Sequence, residues 1–198
     1  MNKIIFLLTI FFTLTSCSVF SPVKMNPQTT YVINALPKPS IKKSSRHVTL
    51  LVTLPETNPL YGSREMAYTN SPYQIAYFAK NIWAEQPSEM IYPLLVQTLQ
   101  NTRHFHAVVT ISSAVNYEYV LTTQIQQLLQ DYTDGTPRVY LTVRAQLIHA
   151  ATNRVIATKE ITIVEYFPQR TPFSGVVAAN RATEKMLQHL TKFCVHLI

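Results

Sequence analysis

Glycine is scarce in this chain, with three in 198 residues. Loops that cradle phosphate need several glycines close together, so motifs of that kind are excluded. No serine sits in a G-x-S-x-G turn, the strained elbow that presents a hydrolase nucleophile. Charge is sparse too. Charged residues make up 14% of the chain, and the ten acidic ones are scattered. Asp131 and Asp134 lie together only because both belong to the turn-forming run Asp131–Pro137. Turn chemistry explains them better than acid–base work. Low charge with many tyrosines and phenylalanines argues against a disordered stalk and for a β-rich globule. No apolar run approaches the roughly twenty residues of a membrane-spanning helix. Cysteine is limited to Cys17 and Cys194.

The N-terminus carries the strongest signal. Lys3 supplies a positive start, and Ile4 to Leu14 is apolar except for Thr9 and Thr13, the layout of a secretory signal peptide. It ends in Leu14-Thr15-Ser16-Cys17, which resembles the bacterial lipobox. That resemblance implies diacylation of the Cys17 thiol and cleavage after Ser16, so that Cys17 becomes the acylated N-terminus. Several acyl chains, at about 0.8 kcal/mol per buried CH2, anchor far more firmly than one. An ordinary signal peptide with an incidental Cys17, or a buried N-terminal helix, is the competing reading. Ser18 follows the cysteine, which resembles outer-membrane sorting in enteric bacteria. The chain then divides into a signal peptide (1–16), an acylated N-terminus and tether (17–30) and a single domain (31–198). The tether Ser18–Thr30 is polar, carries Pro22 and Pro27, and reaches at most ~45 Å at about 3.3–3.6 Å per residue. Lipidation would leave Cys194 alone, without a disulfide. Phe193 and Val195 beside it suggest a small buried hydrophobe.

The formal charge is +7, and loss of Lys3 lowers it by one. A basic body on a tether could favour anionic headgroups or an acidic partner. Its densest cluster, Lys42, Lys43 and Arg46, reads as a solvated loop. Export excludes nucleic acid.

Periodicity supplies the elements. Tyr31–Leu36 is a short strand stopped by Pro37 and Pro39. After a basic loop, Lys38–Ser45, His47–Leu54 alternates with Val48, Leu50, Val52 and Leu54 on one face. Pro55–Ser63 is a loop. Arg64–Thr69 and Tyr73–Ala79 form two strands around Asn70-Ser71-Pro72, or Tyr73–Trp83 begins a helix. Ser88–Arg103 is a helix in which Pro93 requires either a start near Ile91 or a kink. Phe105–Ile111 is a strand. Tyr117–Leu129 alternates, with Tyr117, Tyr119, Leu121, Ile125 and Leu129 on one side. Arg138–His149 and Val155–Phe167 complete a meander, joined by a tight turn at Thr152-Asn153. Ser174–Val195 closes the chain as an amphipathic helix. Its core stripe is Val176, Ala179, Met186, Leu187, Leu190 and Phe193, and its wet face Arg181, Glu184, Lys185 and Gln188. This order predicts a single α+β domain, a mostly antiparallel sheet with two main helices packed on one face.

Chemistry-bearing constellations are weak. His104 and His106 would share a strand face, but no nearby Cys, Asp or Glu completes a metal set. His189 and His196 lie on one helix face without a nucleophile beside them. No catalytic residue and no metal site is assigned, and no cofactor is expected beyond the lipid on Cys17. Aromatic residues stand out instead: Tyr61, Tyr68, Tyr73, Tyr77, Phe78, Trp83 and Tyr92. They fit either a core of large side chains or a partner-facing surface, where such residues give contact area at low entropic cost. Tyr73, Tyr77 and Trp83 are the candidate partner contacts. Trp83, before Ala84-Glu85-Gln86-Pro87, could cap the core or anchor a partner.

These motifs, in this order, resemble the ABC-type transport auxiliary lipoproteins, the family that includes paraquat-inducible protein C. The resemblance rests on Leu14–Cys17, Tyr31-Val32-Ile33, Val48–Pro55, Met66-Ala67-Tyr68 with Tyr77, and Trp83–Pro87. Met90, Leu94, Leu95 and Leu99 then lead into Phe105-His106-Ala107-Val108. The chain departs from the family at Arg103-His104, where a glycine often stands. The resemblance implies a non-catalytic auxiliary component of an MCE-type ABC system that moves lipid or other hydrophobic molecules between membranes. It further implies an outer-membrane lipoprotein facing the periplasm, with a periplasmic MCE-family protein as partner and homo-oligomers possible in the family. The alternative is a lipoprotein regulator of a peptidoglycan synthase, although the tether is short for reaching through the cell wall.

Overall fold

The computed structural model describes residues 27–38, 46–110 and 115–198. The signal peptide, Cys17, most of the tether, Lys42 and Lys43 lie outside the described residues. The strands are β1 (Thr29–Tyr31), β2 (Thr49–Val52), β3 (Glu56–Thr57), β4 (Glu65–Thr69), β5 (Ala76–Trp83), β6 (Ala107–Thr110), β7 (Tyr119–Asp131), β8 (Arg138–His149) and β9 (Arg154–Tyr166). The helices are α1 (Pro87–Asn101) and α2 (Pro172–Leu197). All the strands join one sheet, in a single α+β domain.

β7 is the organising strand. One edge pairs antiparallel with β8 along its whole length, and β8 pairs antiparallel with β9. The other edge takes three short parallel partners in turn: β2 at Tyr119–Leu121, β3 at Gln124–Ile125 and β4 at Gln130–Asp131. Beyond them, β6 runs parallel to β2, β5 antiparallel to β4, and β1 parallel to β5. Antiparallel pairing therefore dominates the long strands and parallel pairing the short ones.

The alternation expected for β8 is present. Val139, Leu141, Val143, Ala145 and Leu147 point into the core beneath the helices. β2 differs from expectation. All four of its residues are buried, and Leu54 lies exposed beyond its end. The reason is its place between β6 and β7, where both edges are paired and both faces covered. β7 differs as well. A bulge between Ile125 and Gln127 reverses the facing, so Leu121 and Ile125 are followed into the main core by Leu128 and not by Leu129. Leu129 joins Tyr61 and Ala67 in a small cluster of its own. Of the two readings for residues 73–83, the strand is the one formed. β1 is shorter than expected, and the extended chain after it crosses the helices. There Asn180 of α2 accepts from Asn34 N (2.9 Å) and Ala35 N (3.1 Å) and donates to Val32 O (3.0 Å).

α1 starts at Pro87, not near Ile91, and Pro93 lies inside it. Pro93 and Glu89 are both exposed, so the Glu89 carbonyl that proline leaves without an intrahelical donor faces water. After Thr102, Arg103 takes the left-handed backbone itself (φ 53°). The turn at which the family resemblance leads one to expect glycine is thus formed without one, at a cost of about 1–2 kcal/mol. α2 is capped by Thr171, whose Oγ1 accepts from Ser174 N (3.2 Å), with Pro172 at its first position. Its buried stripe includes Val176, Ala179, Met186, Leu187 and Leu190, while Phe193 is half-buried. Fully burying such a leucine contributes about 1.5–3 kcal/mol. Cys194 is buried as expected, and burial pushes its thiol up to about 12.

The bulge has a consequence for α2. It turns Gln130 inward against Gly175, where a Cβ would stand 2.0 Å from Gln130 Oε1. Gly175→Ala is therefore expected to push the Gln130 carboxamide off the Tyr132 hydroxyl and cost about 1 kcal/mol, partly offset by alanine's better helix propensity. Gln130→Ala in the same chain should restore most of the loss. Urea denaturation of the two single variants and the double variant checks this, and an additive double variant would refute the contact.

Candidate functional site

β4, β7 and β9 all finish at the end of the sheet where α2 begins. Tyr68 stacks on Phe78 with ring centroids 4.3 Å apart. Both meet Tyr132 edge-on, at 6.3 and 6.4 Å, and Tyr132 meets Phe167 at 5.7 Å. Pairs of this geometry are worth about 0.5–1.5 kcal/mol beyond burial. Tyr132 N donates to Thr69 O (2.9 Å), which extends the β4–β7 pairing by one step. Its hydroxyl donates to Gln130 Oε1 (2.7 Å) and faces Thr171 O at 3.3 Å. Arg170 lies over the Tyr132 ring and donates to Tyr132 O (2.5 Å) and Asp134 O (3.3 Å). Burial pushes the Tyr132 phenol up to about 12, against the pull of Arg170. It stays protonated at neutral pH and serves as a structural donor.

The Asp131–Pro137 turn closes this end. Asp131 Oδ1 accepts from Thr133 N (2.8 Å) and from the Thr133 hydroxyl. Arg138 bridges Asp131 Oδ2 (2.9 Å) and Asp134 Oδ2 (2.7 Å). Turn bonds and one guanidinium thus occupy both carboxylates. A second ionic group was not anticipated from the sequence. Glu165 on β9 has a buried side chain and pairs with Lys185 (2.5 Å) and Arg181 (3.4 Å) of α2. The signal was a glutamate at an inward-facing position, two residues after Ile163 and four after Ile161. The wet face of α2 therefore also clamps β9.

The candidate partner residues separate. Tyr73 stands at the tip of the β4–β5 turn, fully exposed and left-handed (φ 64°). Tyr77 is part-exposed, its hydroxyl donating to Leu60 O (3.1 Å), and Leu60 is exposed beside it. Trp83 is 3% exposed and belongs to the main core, the first of the two roles the sequence left open. His104 is buried edge-on to Phe105, whereas His106 is exposed near His47, so the H-x-H pair forms no common site. No group of three metal-ligating residues occurs among the described residues.

Two more surfaces are visible only in three dimensions. A groove of about 460 Å3 lies between the chain after β1 and the first turns of α2, walled by Tyr31, Val32, Phe173 and Val177. Tyr31 and Phe173 meet there at 6.2 Å. β9 pairs only with β8 among the described residues, so its other edge takes no strand; Arg181 Nη2 donates to Tyr166 O (3.0 Å) at its end, and Val155, Ile156, Val164 and Tyr166 are exposed. Open edges of this length are ready templates for pairing with another chain.

A family model described as ABC-type transport auxiliary lipoprotein component matches residues 31–191. No curated protein matches the chain. Among solved structures, protein XCC0632 from Xanthomonas campestris is similar at 19% identity, with a TM-score of 0.76 over 85% of this chain and 95% of that one. An uncharacterized protein is similar at 12% identity, with a TM-score of 0.68 over 85% and 99%. At these identities the likeness is one of fold.

The turn generates a pH prediction. Burial raises the Asp131 carboxyl, but the Thr133 bonds and Arg138 outweigh it and hold the group below its ordinary 3.8. Its stabilisation is complete above that ordinary value and is lost as pH falls through the lowered one. Denaturation midpoints of the wild-type chain should drop with acid in that window. Asp131→Asn should be less stable at neutral pH and flatter below about pH 4. Equal acid dependence of the two chains would contradict the assignment.

Proposed function

We propose, from the premise that this chain belongs to the ABC-type transport auxiliary lipoprotein component family, that it is the non-catalytic, acyl-anchored docking component of an MCE-type ABC system. In this reading the lipid on Cys17 holds the domain at the inner face of the outer membrane. There it receives a periplasmic MCE-family protein that delivers lipid or another hydrophobic molecule. The observation that carries the reading is the family match across nearly the whole domain, joined to the lipobox-like Leu14–Cys17 that precedes it.

The architecture supports such a role in two ways. The titratable groups at the end of the sheet where α2 begins are engaged in holding the turn and α2 rather than in an open cleft. The domain also offers two exposed surfaces: the β4–β5 tip with Tyr73 and Tyr77, and the open β9 edge. A component that joins a bilayer to a protein needs two such faces. Homo-oligomers could use the β9 edge as well.

The test combines anchoring and partner capture in cells. A photoreactive residue in place of Val155 or Val164 is expected to trap a periplasmic MCE-family protein. Cys17→Ala should release the chain from the outer membrane and lower that yield roughly tenfold or more, because tethering sets the local concentration. Deletion of the gene should alter outer-membrane lipid composition. No trapping, together with unchanged lipids, would defeat the proposal.

A further inference from the structure

Resting on the anchoring reading above, we propose that the β4–β5 turn is a foot on the bilayer: Tyr73, with Ile75, Tyr77 and Leu60 behind it, enters the headgroup layer of the membrane that holds Cys17. Three independent features of the hairpin point there.

The first is direction. β1 runs parallel to β5, with Thr29 opposite Asn81, and Gln28 Nε2 donates to Ala79 O (3.2 Å). β5 starts at the turn, so β1, followed backward to Pro27, points toward the turn's side of the domain. From Cys17 to Pro27 the chain spans at most ~35 Å at about 3.3–3.6 Å per residue. Cys17 is therefore held within ~35 Å of Pro27, and its bilayer is proposed to lie on the side toward which β1, followed backward, points.

The second is charge. Met66 through Ala79 contains no Asp, Glu, Lys, Arg or His. Nothing in that stretch would have to be stripped of its hydration as an ion on meeting lipid. The first charge along β5 is Lys80, exposed at the base and suited to a headgroup phosphate. Tyrosine is the residue type that favours the membrane–water boundary, with an apolar ring and a polar end.

The third is strain. Tyr73 holds a left-handed backbone while its ring is fully exposed. Among the described residues no side-chain hydrogen bond or ring contact holds Tyr73 there, where glycine would be relaxed. A ring kept at such a position has its contact outside the domain. An uncharged tip facing the anchoring bilayer favours lipid over a protein partner as that contact.

The experiment uses the full acylated chain in phospholipid vesicles, with brominated acyl chains as quencher. Trp83 is buried and gives the internal reference. Tyr73→Trp places a reporter on the tip, and Val155→Trp places one on the open β9 edge. Flotation with the vesicles, with the Tyr73→Trp reporter quenched several-fold more than the Val155→Trp reporter, is the expected result. Flotation with equal quenching, or with none at the tip, overturns the foot and leaves the anchor standing. Protection of the tip reporter only when the periplasmic MCE-family domain is added overturns it in favour of a protein contact. A chain that does not float defeats the anchoring reading and the foot with it.

Discussion

The rest of the structure depends on how β7 satisfies its two edges. Thirteen residues of alternating sequence need hydrogen-bond partners on both sides. β8 supplies one side in a single antiparallel run. The other side is assembled from β2, β3 and β4, because Pro55 and the 3-10 turn Pro59–Tyr61 break the chain that could otherwise have formed one long partner. The bulge after Ile125 then decides what faces the helices. It sends Leu129 away, turns Gln130 inward, and so sets where Gly175 and the start of α2 can lie. Tyr132, Arg170 and the aromatic cluster follow from that placement, as does the attachment of the β4–β5 hairpin.

Much of the fold was legible in the sequence. Alternation identified β8 to the residue, β9 to within one and β7 to within two at each end, and the 3.6-residue stripe identified α2. What was not legible has common physical causes. The full burial of β2 depends on neighbours far away in sequence, so its alternation could not show that both faces are covered. The bulge in β7 is one extra residue in an unbroken run, and it moved Leu129 to the wrong side of the expected stripe. Pro93 suggested a late helix start, but solvent exposure on that face lets a proline sit inside α1. The conformation of Arg103 was invisible because a non-glycine residue in a left-handed position leaves no mark on composition.

The candidate site was only partly legible. Composition drew attention to Tyr73, Tyr77 and Trp83, but burial separates them: Trp83 packs the core while Tyr73 is fully exposed. Glu165 and its two cations needed the pairing of β9 with α2 to be recognised. The groove beside α2 and the open β9 edge are products of topology, and no local pattern announces either. Together these features describe a body in which charged side chains such as Asp131, Arg138, Glu165 and Arg170 hold its own turns and helices.

The central proposal is that this body, anchored through Cys17, sits directly on the bilayer. Neutron reflectometry of the acylated chain on a supported phospholipid bilayer reads that geometry without any substitution. The account predicts protein density continuous with the headgroup layer. A separate water layer between headgroups and domain, approaching the ~35 Å reach of the extended chain from Cys17 to Pro27, would contradict it.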